Sequence, residues 1–373
     1  MHKNIHLNLF KRDTGNQNYI PELDGLRFIA IISVILFHAN GRMLKFFCLE
    51  IPYISDILKT GFFGVEIFFA ISSYILTKQI ISTNNFSFRS YIKRRFLRIE
   101  PTFIIAILIQ YLILVLVFKP DLLKEITESL LYVISYTSNI FKNNLINGVT
   151  WSLEIEMQFY LLLPLLLMLK KSSNKYFYCF IVLLVVLFSL LTPLIGFKSL
   201  INYFNYFLVG ILVAILQKNK TLINTYFIGS NLLLVFLLFM LADKSIVNFL
   251  SNLYLISILR LTILFWLFNN VLILRKGISF LAMPIISTLG GMCYTIYLYH
   301  ILILSFFTRL ILPGIKDFIE SDILFFCFGI LLMCFSSLII SSLFFVLFEK
   351  PFMKKNWPSL MKKNVNLFFA RLL

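Results

Sequence analysis

Apolar residues run along this chain in long blocks, separated by short polar and basic stretches. Ten blocks stand out, at about 26–44, 61–80, 96–118, 150–169, 176–195, 201–217, 222–242, 246–274, 287–312 and 322–348. Most approach the roughly 20 residues that a helix needs to cross the hydrocarbon core of a bilayer. In lipid, backbone polar groups are satisfied only within helices or closed barrels. The pattern predicts an all-α fold, a polytopic membrane protein of about ten transmembrane helices. It divides the chain into an N-terminal segment 1–25, a transmembrane domain 26–350 and a tail 351–373. The first twenty residues are polar and mixed, and no small-residue cleavage site follows the first block. That block is therefore expected to stay as a helix rather than be removed as a signal peptide.

An even number of crossings puts both termini on one side. With that side cytoplasmic, the inside segments carry twenty-two Lys and Arg against nine in the outside loops, the bias that sets orientation in helical membrane proteins. The expected location is a membrane, crossed many times, with both termini cytoplasmic. The longest connection, 119–149, holds the half-apolar run "SLLYVISYTSNIF" and is too short to span; it is expected to lie along the interface or dip back into the protein.

Composition agrees: 60% of residues are hydrophobic, 14% charged, and the mean hydropathy is +0.90, against roughly half apolar and a quarter charged in soluble domains. The net charge of +17 sits in short loops, so it reads as topology and membrane-lipid contact with no nucleic-acid partner. Cys48, Cys179, Cys293, Cys327 and Cys334 are odd in number, have no CxxC spacing, and lie mostly inside apolar blocks. They read as small core residues, and no metal site is expected.

Ionisable groups inside the blocks need an explanation, because each costs about 2.5–3.5 kcal/mol at mid-membrane on insertion scales. In "LDGLRFIAIISVILFHAN" the first helix carries Arg27 and His38, with Asp24 placed as its cap. Eleven residues turn a helix by about 1100°, some 20° beyond three full turns, and rise about 16 Å. Arg27 and His38 therefore share a face, the arginine at the inner boundary and the histidine past mid-membrane. The same rise puts Glu66 roughly 7–8 Å and Glu156 about 9 Å below the outer surface, and His300 about 19 Å from the inner edge. Two histidines and two carboxylates are thus expected to converge in the outer half, a cluster with acid/base capacity. At the inner edge Arg95 and Arg98, three residues apart in "YIKRRFLRIEP", share a helix face and can grip a phosphate beside Arg27.

Simpler readings exist for each group. Basic residues at an inner edge serve topology, and a membrane histidine equally serves a helix–helix hydrogen bond. Glu154 reads as facing water, Arg260 as paired with a bundle carboxylate, and Trp151, Tyr160 and Tyr299 as packing or interfacial aromatics. Ser152 has no fitting Ser-His-Asp order around it.

Taken together the blocks resemble the acyltransferase 3 family of membrane-bound O-acyltransferases. "PELDGLRFIAIISVILFHA" is similar to its first-helix signature, with Arg27 and His38 as the arginine–ten residues–histidine pattern. "GFFGVEIFFAISSYILT" resembles the second-helix block with Glu66, "RRFLRIEP" the arginine pair Arg95 and Arg98, and "WSLEIEMQFYLLLPLLL" the fourth-helix block with Glu156. "LGGMCYTIYLYH", carrying Tyr297 and His300, and "FEKPF" resemble the late blocks. Ser73 stands where the second block usually has glycine, and Met157 where an acidic residue often follows the glutamate.

The resemblance implies an O-acetyltransferase with acetyl-CoA, or another short acyl-CoA, as cytoplasmic donor and no permanently bound cofactor. It implies that Arg27, Arg95 and Arg98 bind the CoA phosphates and that His38 is the base or the acyl acceptor. Glu66 or Glu156 would orient His38, with Tyr297 and His300 lining the site. The implied acceptor is a hydroxyl of a cell-surface polysaccharide, such as lipopolysaccharide O-antigen, or of its lipid-linked glycan precursor. Some members carry a fused hydrolase-like domain after the tenth helix. Here only a short tail follows, so the last transfer step is expected either in this chain or with a separate periplasmic partner protein. The rival class is a proton-coupled transporter or glycan flippase, which would use the same buried His/Glu cluster. Against it, the two halves show no inverted repeat or matching helix breaks.

Overall fold

A computed structural model describes residues 9–13, 19–118, 120–141, 143–168, 174–191, 198–218, 231–241, 243, 253–274, 280–354 and 357. All regular structure among them is helical. The main helices are α1 (Pro21–Phe47), α2 (Gly64–Ile81), α3 (Phe88–Ile113), α4 (Leu123–Ile134), α5 (Trp151–Met168), α6 (Asn174–Leu191), α7 (Leu200–Lys218), α8 (Asn231–Met240), α9 (Leu253–Phe268), α10 (Pro284–Gly291), α11 (Cys293–Phe306) and α12 (Asp322–Phe344).

Every expected block meets a helix, and seven helices among the described residues are long and apolar enough to cross a membrane. Parts of the blocks 222–242 and 246–274, and most of the tail 351–373, lie outside the described residues. Exposed Leu, Ile and Phe such as Leu165, Leu331 and Ile339 cover the outside of the bundle, as lipid-facing surfaces require.

The bundle closes around α1 and α2. Helix α2 packs most extensively on α7, and α1 on α10, α2, α11 and α12. Two glycines permit this closeness, since small residues let membrane helices approach where no hydrophobic effect drives them together. A methyl group on Gly210 of α7 would overlap the Ala70 carbonyl oxygen and Ser73 Oγ of α2. Ser73, standing where glycine was expected, turns its hydroxyl back to Ala70 O at 3.0 Å, and the glycine is supplied by the facing helix. On α10, a Cβ at Gly290 would overlap the Asp24 carbonyl oxygen of α1.

The 119–149 connection folds back without spanning. Its helix α4 buries Ile126, Ser129 and Val133, the first and last in a cluster with Phe103, Ala106 and Ile107 of α3. Glu154 anchors the return and is only 1% exposed, correcting the expectation that it faces water. Its Oε2 accepts from Ser138 Oγ at 3.1 Å and from the Asn139 N–H at 2.8 Å. A buried acceptor with such partners serves the turn rather than solvent.

Candidate functional site

Two cavities lie inside the bundle and share no lining residue. The first, of about 200 Å³, is ringed at one end by Arg12, Arg27, Arg95 and Arg98, with Glu156, Glu349 and Tyr297 among the rest of its wall. The second, of about 510 Å³, is lined by His38, Arg42, Lys45 and Arg309, among others.

Local sequence explains how the basic ring is presented. Helix α3 starts at Ser87, whose hydroxyl accepts from the Ser90 N–H at 3.4 Å, and its first three turns carry the basic run. Pro101 inside α3 has no N–H to give the carbonyl one turn back. That carbonyl, Leu97 O, instead accepts the Trp357 indole N–H at 3.2 Å, and Ile99 O accepts the Tyr294 hydroxyl at 3.1 Å. Both bonds fix α3 beside Arg95 and Arg98. Arg95 donates to Gln79 Oε1 on α2, whereas Arg98 has no ion pair among the described residues.

Asp24 does not cap α1, which begins at Pro21 with Ile20 before it. Proline is well suited to a first helical position, so the helix starts earlier than the apolar block. Asp24 then falls inside the helix, where it pairs with Arg27 and with Arg12 at 3.4 Å. Burial, reinforced by the neighbouring Arg27 guanidinium, pushes Arg12 down to about 10, with Asp24 pulling the other way. Arg12 remains charged at neutral pH.

Further along the cavity, Glu156 accepts from the Ser72 hydroxyl and from Tyr160 Oη at 2.5 Å. Glu349 accepts from the Thr295 hydroxyl and from its N–H at 3.2 Å. The far end is closed by Tyr297, whose hydroxyl donates to Val149 O at 3.0 Å and lies 2.7 Å from Ser152 Oγ.

The wall between the cavities is aromatic. The Tyr297 ring is 5.6 Å from that of His300, and His300 is 5.3 Å from His38. His300 is fully buried. Its Nδ1 lies 2.7 Å from the Tyr297 carbonyl oxygen; a carbonyl only accepts, so Nδ1 carries the proton and Nε2 the lone pair. That Nε2 is buried without a hydrogen-bond partner among the described residues. A line of three rings thus runs from the end of the basic cavity to the second chamber. It ends at His38, which lines the second chamber.

The structure therefore brings together Arg27, Arg95, Arg98 and Glu156 in one cavity, with Tyr297 at its end and His300 and His38 behind it. The expected convergence of both carboxylates on His38 is not what the fold provides. Glu156 faces the arginines and Tyr160. Glu66 lines neither cavity; it is buried beside Tyr206 and the Arg260 guanidinium. Helical rise fixes depth, but rotation decides which neighbour a side chain meets. Arg260 itself donates to Leu241 O at 3.1 and 2.6 Å.

Two charged residues of the first cavity, Glu349 and Arg12, were not expected from the sequence. Glu349 had a signal, a carboxylate ending the last apolar block in "FEKPF". Arg12 had none, since it comes from the polar N-terminal segment and reaches the site only through tertiary structure.

The family profile for the acyltransferase domain matches residues 20–342. The O-acetyltransferase OatA of Staphylococcus aureus is 34% identical over 164 residues, 39% of this chain and 24% of that protein. The peptidoglycan O-acetyltransferase OatA of Listeria monocytogenes is 31% identical over 176 residues, 41% of this chain and 25% of the relative. A further Staphylococcus aureus protein is 28% identical over 328 residues, 77% of this chain and 51% of the relative. The chain thus spans about a quarter to a half of the length of these relatives. No solved structure matches it. With the family profile spanning residues 20–342, nearly the whole helical bundle, the chain belongs to the acyltransferase 3 family.

Proposed function

We propose that this protein is a membrane O-acetyltransferase that takes an acetyl or other short acyl group from cytoplasmic acyl-CoA. The group passes to a hydroxyl of a cell-surface polysaccharide or its lipid-linked precursor on the opposite side. The observation that carries this reading is the pair of cavities separated by the Tyr297–His300–His38 wall, one of them ringed by four arginines. Arg27, Arg95, Arg98 and Arg12 hold the CoA phosphates, guanidinium being the group best matched to phosphate oxygens. The pantetheine arm lies along the first cavity and brings the thioester to the wall, about 16 Å of helical rise from Arg27.

The acceptor hydroxyl enters from the second chamber. His38 removes its proton while the hydroxyl oxygen attacks the thioester carbonyl carbon. The carbon–sulfur bond breaks, the thiolate takes a proton, and an ester and free CoA result. His300, buried with its ring 5.3 Å from that of His38, packs against that imidazole and is a positioning residue. Glu156 is bonded to Ser72 and Tyr160 and shapes the donor cavity; Glu66, on the other side of α2, braces α7 and α9 through Tyr206 and Arg260.

The test is thiol release from acetyl-CoA by the purified protein, with and without a polysaccharide acceptor. Acceptor-dependent release supports the reading. Acceptor transport without thioester cleavage would refute it and favour a carrier.

A further inference from the structure

We infer that the second chamber recognises an acceptor bearing a carboxylate or phosphate, and that Arg42 and Arg309 bind that group; this rests on the acceptor side assigned above. The chamber is lined by four cations, Arg42, Lys45, Lys59 and Arg309, and by no carboxylate. The first cavity, by contrast, carries Glu156 and Glu349 beside its four arginines. Lys59 is already paired with Glu50 and Asp56.

The two guanidiniums are brought together from distant parts of the chain. Arg42 stands over the Phe46 ring at 5.6 Å and Arg309 over the same ring at 5.4 Å. Arg309 also lies over Phe118 at 5.0 Å. Among the described residues neither has an ion pair. Both line the chamber, and a guanidinium's planar fork of N–H donors takes an oxyanion through two parallel bonds. Stacking on phenylalanine holds the forks in place without satisfying them.

Helix geometry relates this pair to the chemistry. Arg42 follows His38 by four residues, so both share a face of α1 and Arg42 lies about 6 Å further along. An anionic substituent held there places a neighbouring hydroxyl of the same sugar unit at His38. The chamber volume of about 510 Å³ falls in the range of small-ligand sites, roughly 300–1,000 Å³. A lipid headgroup phosphate has the same oxyanion chemistry, and the experiment separates the two sources.

The full chain, in phosphatidylcholine discs and in phosphatidylglycerol discs, is titrated with tri-N-acetylchitotriose and with the same trisaccharide oxidised to one carboxylate. The expected result is roughly tenfold tighter binding of the carboxylated probe in both discs, as one charge-assisted hydrogen-bonded pair supplies. That preference should fall to near parity in Arg42→Gln and Arg309→Gln. Arg42→Lys and Arg309→Lys, which keep the charge, should retain part of it. Affinity for the neutral sugar reports whether each variant is folded. No preference in the wild type, or a preference surviving both Gln variants, overturns the inference. So does a preference seen in phosphatidylcholine and abolished in phosphatidylglycerol, which assigns the arginines to lipid. Binding needs no turnover, so failure of acyl transfer would leave this result standing.

Discussion

His300 stands 5.3 Å from His38, ring centre to ring centre, with its Nδ1 taken up by the Tyr297 carbonyl oxygen. A buried imidazole so anchored offers a single unpartnered lone pair. Removing it should loosen His38 without touching the donor cavity. His300→Ala is expected to lower kcat by up to about tenfold, the worth of one ring-packing contact of about 0.5–1.5 kcal/mol, while the KM for acetyl-CoA stays within twofold. Steady-state kinetics with the donor varied would check this; a rise in donor KM with unchanged kcat would show that His300 does not position His38.

Arg98 lines the first cavity without an ion pair among the described residues, whereas Arg95 is already bonded to Gln79. The two should therefore differ in what they lose. Arg98→Gln is expected to raise the KM for acetyl-CoA by about tenfold or more, the worth of a charge-assisted hydrogen bond, and to weaken adenosine 3′,5′-bisphosphate binding alike. Direct titration with that nucleotide measures the effect apart from turnover.

Burial and Arg27 push Arg12 down to about 10, and a bound anion stabilises its charged form. Arg12 carries its proton below that value and loses it as pH rises through it. Affinity for adenosine 3′,5′-bisphosphate should therefore be flat from pH 7 to 9 and fall above about 10, with this step absent in Arg12→Gln. The free protein behaves in the opposite sense: the unfolded arginine holds its proton longer, so this group adds stability as pH rises beyond 10. Calorimetric titration across that range reads the binding step.

Gly210 lets α7 lie against Ala70 and Ser73 of α2. A methyl group there meets a backbone carbonyl oxygen, so Gly210→Ala is expected to destabilise the bundle by about 1–3 kcal/mol, the usual cost of overpacking. Gly290→Ala should do the same between α10 and α1 and also disturb the Asp24–Arg27 pair. Thermal unfolding in detergent would show both against an outward substitution such as Leu165→Ala.

The helices and the order of residues along them were legible in the sequence, and their rotation was not. Hydropathy located the helices because lipid demands long apolar runs, and a rise of about 1.5 Å per residue ordered Arg27 and His38 along α1. The same reasoning put Glu66 and Glu156 at similar depths. Whether either met His38 depended on helix rotation and on neighbours, and α2 turns Glu66 toward α7 and α9 while α5 turns Glu156 toward the arginines. Arg12 and Glu349 join the cavity by contacts between opposite ends of the chain, which local pattern does not encode. Asp24 was misplaced as a cap because the helix begins at Pro21, ahead of its apolar stretch.

On the proposed mechanism an acyl group crosses from the arginine-ringed cavity to the second chamber at His38. Proteoliposomes loaded with acetyl-labelled CoA, with a polysaccharide acceptor supplied only outside, read this transfer. Labelled ester is expected on the external acceptor with wild-type protein, lowered in His38→Ala by about 10²–10⁴-fold, the usual contribution of a general base, at matched protein density. External labelling at the wild-type rate in His38→Ala would contradict it.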